Sequence, residues 1–364
     1  MICDGRKMPA VKGLLLGLGL LLTAGSALAG EPTPLVVATW GGAYEAAQRA
    51  ALFAPFSEAT GIPVQTVPYD GGVAALEDAD GWTVVDMAIA DADTACEAGL
   101  VEALDPAILA PAPDGTPAAE DFLPGAFRPC AVMHLVYATV LAYDERAFPG
   151  EKPRTVADFF DLARFPGERA LRRAPVGLLE WALLSYGVPR TQVYDLLSTE
   201  RGLTLAFRRL DRLRPQLRWW QAGDKPIRML LDGEVAMASA YNGRVFAAQN
   251  AGAPLTVIWD GQLLDANVWA IPAGADRQRA EAFIRFVTRA PAMANLANHI
   301  SYGPARRSAQ RRIGRHVETG VPMEVHLPTA PRHLERAVVQ DHRWYTRTHE
   351  LRERRFRGWL EEGR

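Results

Sequence analysis

The sequence predicts an α/β protein built from two lobes. Strand-like and helix-like apolar patterns alternate along the first part of the chain, which is typical of a mainly parallel sheet flanked by helices. With 364 residues, the chain is longer than one domain commonly is. Two apolar runs, 130–143 and 267–271, are placed so that the chain can cross between the lobes and return.

The N-terminus has the residue order of a secretory signal peptide. Basic residues precede an apolar run at 13–23, and the small residues Ala27 and Ala29 follow it. The run is shorter than the roughly 20 residues that a membrane span needs. Gly30 stands where a lipid-anchored protein would carry a cysteine. We therefore expect cleavage after Ala29, removal of the signal peptide 1–29, and a periplasmic protein that is not lipid-anchored.

Cleavage changes both the charge and the cysteine count of the mature chain. The signal carries three basic residues and one acidic residue, so 37 basic and 41 acidic residues remain, a balance that does not favour nucleic acid as a partner. Cys3 is removed, which leaves Cys96 and Cys130. In an oxidising compartment this pair favours one disulfide, and the alternative is two buried free thiols.

The elements of the first lobe follow one another closely. In order, they are a strand at 35–39, a helix at 45–60 that closes at Gly61, a strand at 63–68, a third at 84–90 and a helical turn at 94–99. A loop rich in proline and alanine follows at 106–119. We assign 30–138 and 268–312 to lobe 1.

The second lobe is assigned to 139–267 and 313–364. Its expected elements are a capped helix start at 155–158, helices at 180–186 and 204–213, and strands at 235–240 and 255–259. An amphipathic helix is expected at 277–288, within lobe 1. The segment from Arg332 onward is rich in arginine and glutamate, which favours a solvated surface helix over a partner-docking face.

Motifs of enzymes are missing from the sequence. It contains no G-x-S-x-G elbow, no G-x-x-x-x-G-K-[ST] phosphate loop and no H-E-x-x-H zinc pair. The seven histidines lack the spacing of metal ligands. We therefore expect no catalysis, no metal and no cofactor.

Aromatic and acidic residues recur at predicted strand ends. Ligands of open α/β sheets bind at the carboxyl ends of strands, and an aromatic face there can hold a cation or a methylene chain. Trp40 and Tyr44 follow the first strand in this way, although Trp40 could also be part of the core. The other residues in such positions are Asp91, Asp93, Tyr241, Asp265, Asn267 and Tyr302.

The chain resembles the periplasmic substrate-binding proteins of spermidine/putrescine-type ABC importers, within the type II solute-binding fold. The resemblance runs from about residue 35 to the C-terminus. It rests on T-W-G-G-A-Y-E, P-F-S-E-A-T-G-I-P-V, F-P-G-E-R-A-L, W-W-Q-A-G, L-L-D-G-E-V-A-M-A-S-A-Y-N-G-R, A-G-A-P-L-T-V-I-W and I-S-Y-G-P-A-R-R-S-A, in that order.

The resemblance implies two α/β lobes joined by hinge strands that close on one solute. In polyamine binders, aromatic rings hold the methylenes and carboxylates pair with the ammonium groups. Trp40, Tyr44 and Tyr302 match aromatic positions of the family, and Tyr241 falls where a tryptophan is frequent. A membrane permease is the implied partner, and the protein is expected to be a monomer.

Departures from the family concern its acidic residues. Asp265 stands at a family tryptophan, and Asn267 aligns with a family carboxylate. The acidic cluster expected at 173–177 reads R-A-P-V-G, and the nearest acid, Glu180, is offset. A small cationic amine is the first expectation for the ligand, but its length and identity stay open.

Two other ligand classes and one other function remain as alternatives. A zwitterion resembling an amino acid would require a basic residue such as Arg244 to face the cleft. A ferric ion would require two tyrosines to converge at coordination distance. An exported enzyme is the third and least favoured alternative, because no catalytic motif supports it.

Overall fold

One mixed sheet with helices on its faces organises residues 33–362, the part of the chain that the computed structural model describes. The expected signal peptide at 1–29, with Cys3 and its cleavage site, lies outside these residues. The strands are β1 Leu35–Thr39, β2 Val64–Pro68, β3 Val84–Ala88, β4 Phe127–Arg128, β5 Ala131–Asp144, β6 Arg169–Arg172, β7 Leu217–Trp220, β8 Met237–Tyr241, β9 Leu255–Ala270, β10 Gly303–Pro304 and β11 Val338–Val339.

Fifteen α-helices and several shorter turns connect the strands of the described region. The α-helices are α1 Gly42–Gln48, α2 Ala54–Thr60, α3 Ile89–Glu97, α4 Ala118–Asp121, α5 Val156–Phe159, α6 Leu178–Leu184, α7 Val193–Leu197, α8 Glu200–Asp211, α9 Lys225–Leu231, α10 Asn242–Asn250, α11 Arg277–Val287, α12 Ala290–His299, α13 Arg307–Gln310, α14 Pro331–Leu334 and α15 His342–Glu361. A π-helical turn, Arg49–Phe53, joins α1 to α2. None of these helices has the length and apolar character that a membrane crossing needs.

The sheet has two parallel flanks and an antiparallel centre. Its strand order is β2-β1-β3-β9-β5-β8-β6-β7. β1 pairs in parallel with β2 and β3, and β6 pairs in parallel with β7 and β8. Between the flanks, β9 pairs antiparallel with β3 and with β5, and β5 pairs antiparallel with β8. This is the α/β architecture that the alternating sequence pattern predicts.

The two long central strands differ in one respect from the sequence prediction. The expected strand at 255–259 and the crossing run at 267–271 belong largely to a single strand, β9. Thr139 of β5 faces Leu263, whereas Leu141 faces Ile258, so residues 259–262 bulge out of the pairing. The polar residues of this bulge interrupt the apolar pattern, and this is why the sequence predicts two elements.

Several local signals in the sequence have the expected outcome. The helical segment expected at 45–60 ends with α2 at Gly61, whose φ of 72° is the left-handed value that glycine tolerates. Thr155 and Asp158 form the predicted capping box at the start of α5. By contrast, α3 begins at Ile89, so Asp91 and Asp93 lie in a helix rather than in a turn.

Hydrophobic side chains form three clusters along the sheet. Members of the first lie within 35–135 and 266–309, and members of the other two lie within 138–264 and 338–359. Contacts between Cα atoms group the chain from Thr33 onward in one unit. The proposed lobe boundaries therefore stay a prediction.

The C-terminal helix is not the solvated helix that its charge predicts. α15 buries Trp344, Phe356 and Trp359 within the second cluster. It also buries Tyr345, whose hydroxyl donates to the fully buried Glu180. Burial raises the pKa of Glu180. Most charged residues of this segment cover one face, while the opposite face is part of the core and includes the buried Arg352.

A disulfide joins Cys96 and Cys130, as the sequence favours. It ties the end of α3 to the residue before β5, across a sequence separation of 34 residues. A bond that closes a loop of this length restricts the unfolded chain more than the folded one.

Replacing both cysteines with serine should therefore lower the free energy of unfolding by about 2–4 kcal/mol. Urea denaturation of the oxidised mature protein and of the C96S/C130S variant measures the difference. Wild type under reducing conditions should behave like the variant. Equal midpoints for the oxidised wild type and the variant would contradict this expectation.

Candidate functional site

A cavity of about 310 Å³ lies where the carboxyl ends of β1, β3, β6 and β8 approach the middle of β5 and β9. Parallel strands on both flanks thus direct their following residues toward one place. The lining residues are Trp40, Tyr44, Asp70, Gly71, Gly72, Ala88, Asp91, Leu135, Tyr137, Thr139, Arg172, Val176, Tyr241, Arg244, Asp265, Asn267, Tyr302 and Gln340.

Seven of the eight predicted ligand residues line this cavity, and Asp93 does not. The carboxylate of Asp93 pairs with Arg128, with 2.9 Å between Nε and Oδ1. Asp93 follows Asp91 by two positions on α3, and residues two apart on a helix do not share a face. Arg244, the residue on which the zwitterion alternative depends, lines the cavity.

Aromatic rings form much of the cavity wall. Tyr44 packs edge to face with Tyr302 at a centroid distance of 5.3 Å, and Tyr137 packs with Tyr241 at 5.8 Å. Trp40 is held on its outer side by the backbone of the loop after β2. A Cβ atom at Gly71 would lie 3.1 Å from Cη2 of Trp40, so only glycine lets this loop approach the indole so closely.

A buried carboxylate, Asp86 of β3, organises the inner wall. Its side chain is fully buried and accepts hydrogen bonds from four groups. Tyr44 Oη lies 2.5 Å away, Gln48 Nε2 2.7 Å, Asn267 Nδ2 2.8 Å and His134 Nε2 3.2 Å. Burial, together with the charge of Asp86, raises the pKa of Tyr44 well above its usual value. Tyr44 is therefore a hydrogen-bond donor here.

Two carboxylates of the cavity lie close enough to influence each other. Asp91 Oδ2 accepts from the backbone N–H of Gly72 at 2.9 Å. Burial raises the pKa of Asp91, and the negative charge of Asp265 raises it further. Asp265 accepts from Tyr137 Oη at 2.9 Å, and His342 Nε2 lies 3.4 Å from its other oxygen. A bound cation would relieve the repulsion between these carboxylates.

Two guanidinium groups line the same cavity. Neither Arg172 nor Arg244 forms an ion pair with any carboxylate of the described residues. Arg244 Nη2 is 3.3 Å from the carbonyl oxygen of Trp40. Its side chain lies beside two glycines: a Cβ at Gly42 would be 2.9 Å from Nη1, and a Cβ at Gly223 would be 3.0 Å from Nε. The fork geometry of guanidinium suits a carboxylate ligand.

Sequence reasoning missed several charged and polar residues of the site. These are Asp70, Arg172, Gln340 and Tyr137, all of which line the cavity. Tyr137 lies on β5 between Leu135 and Thr139, which also line it. Asp70 and Arg172 stand at or just beyond strand ends, the same signal that identified Trp40. Asp86 had a weaker signal, a single acid within the apolar strand V-V-D-M-A.

Comparison with known proteins assigns the chain to a family. The family model described as "Bacterial extracellular solute-binding protein" matches residues 51–328. The chain belongs to this family. This solute-binding protein is 36% identical, over 93% of its own length and 94% of the relative's, to the gamma-aminobutyric acid-binding protein of Pseudomonas aeruginosa. The spermidine/putrescine-binding periplasmic protein of Salmonella typhimurium is 30% identical, but over 31% and 33% of the two chains.

Solved structures give the same fold. The solute-binding protein MotA from A. tumefaciens B6, in complex with glucopine, has a TM-score of 0.80 and 29% identity, covering 90% of this chain and 99% of that chain. An ABC transporter substrate-binding protein from Bradyrhizobium japonicum has a TM-score of 0.78 and 29% identity with the same coverage. The Atu4243-GABA receptor has a TM-score of 0.74 and 25% identity, covering 90% and 97%.

These matches make the chain the solute-binding component of an ABC transporter with the type II fold. Its relatives are solute-binding proteins rather than enzymes. A polyamine ligand, expected from the resemblance, remains a prediction.

The D86N variant tests whether Asp86 organises the site. An amide replaces an acceptor oxygen with a donor, so at least one of the four donors around it loses its partner. We expect the free energy of unfolding to fall by about 2–4 kcal/mol, and solute affinity to weaken because Tyr44 and Asn267 lose their common acceptor.

Chemical denaturation and calorimetric binding measure the two effects. D80N is the matched control, since Asp80 is exposed. A D86N protein as stable as D80N would show that Asp86 does not have this role.

Proposed function

We propose that this protein binds a small ω-amino acid of the γ-aminobutyrate class in the periplasm and delivers it to the membrane permease of an ABC importer. The observation that carries the proposal is the joint presence of two guanidinium groups and several carboxylates in one cavity. A solute with one carboxylate and one ammonium group complements both kinds of charge.

In the proposed binding mode, the ammonium group lies at Asp91 and Asp265. Burial, and then the negative charge of Asp265, raise the pKa of Asp91, and a cation between the two carboxylates would stabilise both ionised forms. The solute carboxylate lies at Arg172 and Arg244, which line both this cavity and a neighbouring one of about 660 Å³. Charge-assisted bonds at both ends would fix the direction of the solute.

The aromatic wall suits the hydrocarbon part of such a solute. Trp40, Tyr241 and Tyr302 line the cavity together with the charged groups. Binding becomes more favourable when aromatic faces replace water around the methylene groups of the solute. The site therefore provides polar groups for both ends of the solute and an apolar middle.

The same residues argue against the other two ligand classes. A diamine would place a second ammonium group near the guanidinium groups of Arg172 and Arg244, which repel it. A ferric ion requires two tyrosine oxygens that converge on one point, but the hydroxyls of Tyr44 and Tyr137 donate to two different carboxylates, Asp86 and Asp265. The similarity to the gamma-aminobutyric acid-binding protein extends over nearly the whole chain, and this also supports a zwitterion.

Delivery would follow closure of the two expected lobes around the solute by a hinge motion. A closed form that differs in shape from the open one gives the permease a feature to recognise. Arg244 contributes to closure in this proposal because it bonds the Trp40 carbonyl across 204 positions of sequence. We expect the protein to act as a monomer.

Three solutes with the same four-carbon chain separate the ligand classes. 4-Aminobutyrate should raise the melting temperature of the mature protein in proportion to the logarithm of its concentration. Putrescine, with two ammonium groups, and succinate, with two carboxylates, should give much smaller shifts at equal concentration. A larger shift with putrescine would favour the polyamine expectation, and no shift with 4-aminobutyrate would contradict the proposal.

The R244Q variant tests the carboxylate end of the site. Losing one charged partner should weaken 4-aminobutyrate binding by about 10- to 100-fold. Putrescine binding should stay equal or improve, since a positive charge is removed. R285Q, at an exposed position of α11, is the matched control. Equal calorimetric affinities of R244Q and R285Q for 4-aminobutyrate would remove Arg244 from the site.

A further inference from the structure

We infer that His342 is a positioning residue of the solute site, which orients Asp265 and makes solute affinity depend on pH. The inference rests on the proposed function, because it requires a solute ammonium group at Asp265. His342 begins α15, and its Nε2 lies 3.4 Å from Asp265 Oδ1. Tyr137 donates to the other carboxylate oxygen at 2.9 Å. Asp265 is therefore held from both sides.

The backbone around His342 is fixed independently of the solute. Val338 and Val339 pair with Leu263 and Leu264 of β9, so the chain enters α15 beside the strand that carries Asp265. Asp341 caps the helix, and its Oδ1 accepts from the Trp344 N–H at 2.9 Å. These contacts keep the imidazole beside Asp265, which lines the cavity.

This segment lies outside the region on which the family assignment rests. The family match ends at residue 328, whereas His342 follows it by 14 positions. The charge pattern of the arginine-rich C-terminal stretch predicts a surface helix. This stretch nevertheless supplies a contact to the site, between His342 and Asp265. α15 also packs near α3, the helix that carries Asp91.

Proton binding and solute binding compete at this place. Histidine changes its charge between about pH 5 and 8. A protonated His342 adds a positive charge that repels a solute ammonium group at Asp265, whereas a neutral His342 can still donate from Nε2 to Asp265 without that repulsion. Affinity should therefore be highest at the upper end of this range and fall as the pH decreases.

Other titratable and charged groups face the same region. They are Asp265 of β9, Asp91 of α3, Tyr137 of β5, Arg172 of β6 and the capping Asp341. Asp91, whose pKa is raised by burial, also loses charge at low pH and weakens ammonium binding. A pH profile of the wild type alone thus combines two effects, and comparison with a variant lacking His342 separates them.

The experiment measures calorimetric affinity for 4-aminobutyrate from pH 5.5 to 8.5 in wild type, H342Q and H349Q. His349 is an exposed histidine of the same helix and provides the matched control. Between pH 8.5 and pH 5.5, the dissociation constant should increase in all three proteins. We expect the increase for wild type and H349Q to be about five to ten times as large as that for H342Q.

The outcomes distinguish the inference from the proposed function. Solute binding with the same pH profile in wild type and H342Q would overturn the role of His342 and leave the proposed function intact. No binding of 4-aminobutyrate to the wild type at any pH would overturn the proposed function, and with it this inference.

Discussion

A single buried carboxylate, Asp86, joins the elements that build the cavity. Its four donors come from α1, β5 and β9, and one of them, Gln48, in turn accepts from Thr39 of β1. A charge removed from water requires such partners, because burying it alone costs several kcal/mol. Hence α1, β5 and β9 must be held in one fixed arrangement around Asp86. The positions of Tyr44 and Asn267 in the cavity follow from this constraint.

The same constraint explains a departure from the polyamine-binding pattern. Asn267 stands where the family carries a carboxylate, and here its Nδ2 donates to Asp86 at 2.8 Å. A carboxylate at this position has no proton to donate and would face Asp86 with like charge. In the segment 173–177, where the family acids are expected, Val176 lines the wall, and Arg172 lines it from the position just before that segment. The cavity of this protein thus carries both acidic and basic side chains.

Local signals in the sequence predict much of this protein. Aromatic and acidic residues at predicted element ends include seven of the cavity residues. Trp40 and Tyr241 are there because parallel strands bring their carboxyl ends together, whereas Asp265 and Asn267 lie in the middle of the antiparallel strand β9. The same signal failed for Asp93, where helix geometry decides which side chain faces the cavity. Asp86 and His342 were not predicted, since their roles depend on partners 38 or more positions away. Such contacts leave no periodic pattern in a single sequence.

The central claim is that one cavity recognises the two opposite charges of one small solute. A crystal structure of the mature protein with 4-aminobutyrate tests it most directly. We expect the solute nitrogen within about 3.2 Å of Asp91 or Asp265 oxygens, and the solute carboxylate at the same distance from Arg172 or Arg244 nitrogens. A solute bound outside this cavity, or one whose ammonium group lies at the arginines, would contradict the account.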